Sequence, residues 1–339
     1  MTSSAAYQNK SAGFVLPYVL LVIAILSFSL ILIAQRMQNS SRLLIKLESQ
    51  FTSRIALNSA EAEAIYALMV SVPANNGYEL NPKKGLNLFR IEDQDKALQE
   101  VWSANGEARQ SVTPHGPVIA QLRDGSGYIP INNINEEVIL ALTKSLGVPT
   151  QKRKSLTAKL LDYIDEDSRR QFLGGERSDY RLRQLSPPTN ASLRRIGELN
   201  NVMEWNELIS TIDYKAIVDR VTLNPGVKTV KMNFIEPSFA KQLSLGFQDT
   251  RSINSLLRRD NYPTNVIRLA FYYRDFENNV ILRKIEVDKT IATLEKPFSR
   301  QILYEDVLDI QEEQADINHL LSDIEGRKHV IYAKAYRYQ

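Results

Sequence analysis

The side chains that perform most enzyme and metal chemistry are few in this chain and poorly spaced for it. The 339 residues hold three histidines, His115, His319 and His329, with neither metal-ligand spacing nor the partners of a nucleophile triad. There is no cysteine, so no disulfide framework, catalytic thiol or thiolate-held metal exists. Gly174-Gly175 is followed by Glu176 and not by the Lys-Ser or Lys-Thr of a phosphate loop. Asp165 and Asp167 resemble a general acid paired with a general base, yet alternate residues of a helix do not face the same way. Taken together, these residues argue against an enzyme.

The charge balance narrows the options further. Lys and Arg number 42 against 39 Asp and Glu, a formal net charge of +3. That is too even for a chain built around a basic nucleic-acid groove. The cluster Lys152-Arg153-Lys154 reads as a solvated loop, and its sharper alternative is salt-sensitive binding to an acidic partner. A hydrophobic content of 43% is that of a folded chain.

The elements that would position any working surface begin with an uncharged apolar block over residues 14–34, FVLPYVLLVIAILSFSLILIA. Its 21 residues, at ~1.5 Å each, span roughly 31 Å, the thickness of a bilayer's hydrocarbon core. Three readings of this terminus compete. A removable signal would end in small residues, whereas this block ends Ile33-Ala34-Gln35-Arg36. A plain signal anchor satisfies the length. A prepilin-type leader cut between Gly13 and Phe14 would retain the block as an assembly surface. The residues beyond the block favour the third reading: from Tyr18 to Val72 there is neither Gly nor Pro, so one helix of roughly 80 Å is expected. Beyond Arg36 its apolar stripe is read through Leu44, Leu47, Phe51, Ile55, Ala62, Ile65 and Met69.

Pro73 ends that helix, and strands are expected over 86–91 and 118–122. Asp124-Gly125 between apolar runs reads as a hairpin whose return strand covers 128–132. Helices are expected over 136–146, 155–165 and 192–203, and a short strand running into a helix recurs near Met232. Residues 266–274 and 280–287 flank a five-residue loop as a hairpin, and 329–338 reads as a final strand. On the first hairpin strand Ile267, Leu269, Phe271 and Tyr273 share one face.

Five pieces stand in a set order along the chain: Gly13-Phe14 with its apolar helix, DGSGYIPINNIN over 124–135, LDYIDED over 161–167, GGERSDY over 174–180 and PPTN over 187–190. In them the chain resembles the type II secretion minor pseudopilin K family, also called general secretion pathway protein K. The resemblance implies an α+β fold: a long pilin-like N-terminal helix on a small antiparallel sheet, with a large mostly helical insertion. The corresponding divisions are a leader at 1–13, the transmembrane and amphipathic helix at 14–72, the first part of the core at 73–132, the helical insertion at 133–262 and completing strands at 263–339.

The resemblance also implies a role without catalysis. Such a subunit is cut and methylated by the prepilin peptidase, sits single-pass in the bacterial inner membrane with its bulk in the periplasm, and caps a pseudopilus. Its implied partners are other minor pseudopilins, the major pseudopilin, exported proteins and the outer-membrane channel. Pilin-like subunits carry Glu five residues into the mature chain; Tyr18 stands there here, as suits a subunit with no neighbour above it. Some relatives bind calcium in the insertion, and Asp165, Asp167, Glu176 and Asp179 are the matching oxygen ligands, although Arg177 replaces an acid. The rival readings are a minor pilin of a type IV pilus or DNA-uptake system, and a membrane-anchored periplasmic binding module.

Overall fold

The fold is set by one helix that outruns the body it packs against. In the computed structural model, residues 15–80, 101–132, 136–244, 257–258, 261–276, 278–290 and 298–308 are described. Helix α1 (Val15–Val70) is unbroken for 56 residues, roughly 84 Å at helical rise. No Gly or Pro interrupts it after Pro17, which lies in the first turn, where no intrahelical N–H bond is lost. It is the one helix among the described residues long and apolar enough to cross a membrane, and its most apolar stretch is bare of protein contact.

The lower part of α1 is buried along a line that shares Ile65 and, at its edge, Met69 with the expected stripe but otherwise departs from it. Ser49, Ser53, Ala56, Leu57, Ala60, Ala64 and Leu68 face inward, while Leu44, Leu47 and Phe51 are 66%, 51% and 67% exposed and Ala62 is exposed. The inward residues recur at intervals of three and four, one face of a helix. Most are small, which lets the helix axis lie close to the strands. Leu44, Leu47 and Phe51 occupy the outer circumference.

That inner face packs on a five-stranded antiparallel sheet. Short strands β1 (Val72–Ala74), β2 (Gly77–Glu79) and β3 (Val101–Ser103) form a separate antiparallel ribbon after the helix. Strands β4 (Asn105–Thr113) and β5 (Gly116–Asp124) begin the main sheet. The chain then leaves it through β6 (Ile129–Pro130), α2 (Glu136–Ser145), α3 (Thr150–Ile164), α4 (Arg177–Leu182), α5 (Trp205–Thr211), α6 (Tyr214–Val218), β7 (Val221–Thr222), β8 (Val230–Lys231), α7 (Pro237–Ser244) and β9 (Leu257–Arg258). It returns as β10 (Val266–Arg274), β11 (Val280–Asp288) and β12 (Ser299–Leu308), giving the order β12-β11-β10-β5-β4. The result is an α+β fold.

The hairpin of β10 and β11 matches the reading of the sequence, with Val266 opposite Asp288 and Arg274 opposite Val280. Ile267, Leu269, Phe271 and Tyr273 face the α1 core, together with Val118, Ala120 and Leu122 of β5. The expected hairpin at Asp124-Gly125 does not form. Residues 125–127 make a single 3-10 turn, and β6 pairs in parallel with β7 of the insertion instead of folding back on β5. Asp124 is the cause: its carboxylate is fully buried and accepts from the backbone and hydroxyl of both Ser126 and Thr264, which turns the chain out of the sheet. A Cβ on Gly127 would fall 2.3 Å from the Phe234 carbonyl oxygen, so this exit needs glycine.

Two further corrections concern helices. Lys152-Arg153-Lys154 lies within the first turns of α3 and not in a loop. The helix expected over 192–203 is a 3-10 segment, Ile196–Asn201. β12 went unread because only Leu308 of its ten residues is buried, leaving no strong apolar alternation. The strands expected over 86–91 and 329–338, and His319 and His329, lie outside the described residues.

The sheet carries a second layer on its outer face. Arg268, only 5% exposed, pairs with Glu286 at 2.9 Å, donates to the carbonyls of Val218 and Val221 at 2.7 Å each, and stacks 3.9 Å above the Tyr128 ring. Lys284 pairs with Asp219 at 2.7 Å, and Asn224 donates to Glu286 and Asp288. These bonds fix the helical insertion to strands whose other face carries α1.

Candidate metal centre

The insertion has its own core, in which Tyr163, Tyr180, Trp205 and Leu160 are almost fully buried. The Tyr180 hydroxyl accepts from the Met203 amide at 3.0 Å, and the Trp205 indole donates to the Leu156 carbonyl at 2.9 Å. Against that core, α3 stops at Asp165, whose amide closes the last turn on Leu161 while its backbone is already extended (φ −70°, ψ 158°). Asp165 and Asp167 therefore do not sit on a helix, and the objection that they must point apart does not apply.

The loop after α3 doubles back. Asp162, fully buried one turn before the helix end, accepts from the Gln171 amide at 3.1 and 3.3 Å. The Asn190 side chain donates to the Asp167 carbonyl, and the Asn190 amide to the Tyr163 carbonyl at 3.1 Å, so the Pro187-Pro188-Thr189-Asn190 segment closes the other side. Leu173 takes a left-handed backbone (φ 67°) to make the reversal. A Cβ on Gly174 would lie 2.0 Å from an Asp162 oxygen, so only glycine passes there.

This path brings Asp165, Asp167 and Glu176 together, with one oxygen of each within 4.8 Å of the others. Asp165 Oδ1 and Glu176 Oε1 are buried and have no hydrogen-bond partner. At an effective dielectric of about 20, two carboxylates at that separation repel by roughly 3 kcal/mol, less at Asp167, which water reaches. Burial raises the Asp165 and Glu176 carboxyls above their ordinary range, and neighbouring acids, Asp162 among them, raise them further. Asp162 is raised by burial too, against the opposing pull of the Gln171 and Gly175 amides.

Three mutually repelling carboxylates, with Glu176 buried, Asp165 half-buried and Asp167 exposed, two of them with an orphaned oxygen, fit a hard cation. Oxygens around one calcium ion lie no more than about 5 Å apart, a limit within which this group falls, and the group contains no histidine or cysteine to favour zinc. Three of the four expected ligands converge. Asp179 does not join them: it accepts from the Glu176 amide at 3.0 Å and pairs with Arg170 at 3.1 Å, so it caps α4 instead. Arg177 is exposed. Asp162 was missed as a neighbour of the group; it lies in the last turn of α3, three residues before Asp165. Gly13 and Phe14 lie outside the described residues, and Tyr18 is on the bare half of α1.

Residues 119–212, which run from β5 through this loop to the end of α5, match the family model of type II secretion system (T2SS), protein K. The comparison with curated proteins gives no significant match. Among solved structures, the chain is similar to one in the GspK-GspI-GspJ complex of the enterotoxigenic Escherichia coli type 2 secretion system. The two share 16% identity over 81% of this chain and 99% of that one, with a TM-score of 0.44.

Proposed function

We propose that this chain is the K-type minor pseudopilin of a type II secretion system, matured by cleavage between Gly13 and Phe14, methylated at Phe14 and held in the inner membrane by the upper half of α1. The observation that carries the reading is α1 itself. One continuous helix is wholly bare and lipophilic at its start and buried along a single face at its end. A removable signal has no reason to run without a break into a core helix, whereas a subunit that assembles through its membrane helix does.

In this reading the bare stretch packs in lipid and against the equivalent helices of other minor pseudopilins and the major pseudopilin. Tyr18 places no carboxylate in the membrane, so no neighbour's amine is needed to neutralise one. The insertion occupies the outer face of the sheet and blocks a further subunit from stacking there, which makes this the tip. From that position it starts assembly and supports export across the outer membrane. Asp165, Asp167 and Glu176 would hold calcium, with Asp162 behind them. The ion would supply positive charge that cancels their repulsion and pins the loop to the core.

Amino-terminal sequencing and intact mass of the membrane-extracted protein test the assignment. A mature chain beginning at methylated Phe14 is expected. Retained Met1, or cleavage after Ala34, overturns it.

A further inference from the structure

The loop that carries the acid group also presents a surface unrelated to holding an ion. Phe172 is 91% exposed and Leu182 85%, an unusual display for large apolar side chains on a folded domain. They belong to one neighbourhood: Arg170, two residues before Phe172, is bonded to Asp179, and Leu182 lies three residues after Asp179 on the same face of α4. Arg169, Arg177, Arg181 and Arg183, in the same stretch of chain, are all exposed.

Most acids of this segment are engaged with one another or with an arginine, and Arg183 helps to lower the Glu204 carboxyl. Asp165, Asp167 and Glu176 turn toward one another, and Asp179 is engaged by Arg170 and the Glu176 amide. Only Glu166 remains exposed and separate from them. The exposed part of this segment thus carries two large apolar side chains and several arginines, with Arg170 bridged to Asp179. Arginine and aromatic residues are the side chains that dominate protein interfaces, and the planar guanidinium matches a carboxylate with two parallel hydrogen bonds. Lys152-Arg153-Lys154 is at the opposite end of α3, roughly 17 Å away, and is not part of this surface.

We infer that the Phe172–Leu182 surface docks an acidic segment of a partner protein, one whose carboxylates meet the arginines and whose apolar side chains cover Phe172 and Leu182. This stands on the exposed surface alone and holds whether or not the chain is a pseudopilin.

The test uses the full chain in detergent micelles and a labelled 12-residue peptide that alternates Glu with Leu and Phe, read by fluorescence anisotropy. Its control is the same peptide with Lys for Glu. Saturable binding of the Glu peptide alone is expected, weakened about tenfold between 50 and 200 mM salt and at least tenfold by the double variant Arg181→Glu, Arg183→Glu. Phe172→Ser is expected to weaken it about tenfold. All three positions are exposed, and circular dichroism checks that the variants fold. Equal binding of both peptides, no binding of either, or variants that bind like the parent overturn the inference. So does arginine-dependent binding to vesicles containing 30% phosphatidylglycerol without binding of the Glu peptide, which would assign the surface to lipid.

Discussion

A single carboxylate can be read two ways at the acid group, as a ligand or as a cap, and Glu176 decides between them because it is buried with one oxygen left over. Its pKa, with those of Asp165 and Asp162, is raised in the folded chain, chiefly by burial. The metal-free native state therefore holds protons more tightly than the unfolded chain, and these groups lose stability as pH rises from about 4 through the raised values. A bound cation reverses that preference, since it competes with protons for the same oxygens. Calcium is expected to raise the melting temperature at pH 7, with the gain fading toward pH 5; a gain independent of pH would contradict the assignment. Glu176→Gln should raise the melting temperature in EGTA by about 2–4 °C, the size of a ~1 kcal/mol change in a domain this large. It should also weaken calcium at least tenfold by titration calorimetry. Gly174→Ala acts on the same group from behind. Its Cβ would meet the Asp162 carboxylate at 2.0 Å, and Asp162 is fully buried with the Gln171 amide bonded to it. A loss of roughly 1–3 kcal/mol by denaturant titration is expected, together with weaker calcium binding.

Between elements, a few buried ion pairs decide how the layers attach. Glu61 of α1 is received by Arg283 at 3.2 Å and by Arg300, and Arg283 also donates to Asn58 at 2.6 Å, so one helical carboxylate spans β11 and β12. On the other face Arg268 serves the insertion. Arg268→Leu removes a cation from Glu286, which is 8% exposed, and strands two carbonyls. Breaking a buried pair from one side costs about 3–5 kcal/mol, so a fall of roughly 6–20 °C in melting temperature is expected, with proteolysis first in residues 213–224. A loss below 2 °C would mean that the insertion is held elsewhere. The sequence made the strong local signals legible. The β10–β11 hairpin was readable because two β-branched and aromatic runs, the first alternating, flank a five-residue loop, and α1 because breakers are absent. It concealed what depends on partners distant in the chain. β12 shows no pattern because it is an edge; the turn at Asp124 depends on Thr264, 140 residues away; the stripe on α1 is set by where the sheet touches it. The acid group was half legible: the carboxylates were visible, but which three converge depends on a loop reversal through Leu173 and Gly174.

Taken whole, the molecule is a folded head on a long helix whose outer half the head does not use. The first inward-facing residue of α1 is Ser49, bonded to Asp275, the first residue of the β10–β11 loop, and the most apolar stretch above it is not buried by the rest of the described chain. Burial contributes about 25 cal/mol per Å² of apolar surface, so a segment that buries nothing adds nothing to the head's stability. A chain shortened to begin at residue 43 is therefore expected to fold in water without detergent and to melt within about 2 °C of the full chain, calcium response included. Cutting to residue 59 should behave differently. It deletes Ala56 and Leu57 from the core and the buried Ser49 and Ser53, along with the Asn58 that bonds Arg283, and leaves a chain that aggregates or melts at least 10 °C lower. The contrast separates folding from assembly. The shorter deletion should keep calcium binding and lose co-purification with other minor pseudopilins from membranes. If it still co-purifies with them from membranes, the helix is an anchor alone and the assembly surface belongs to the head.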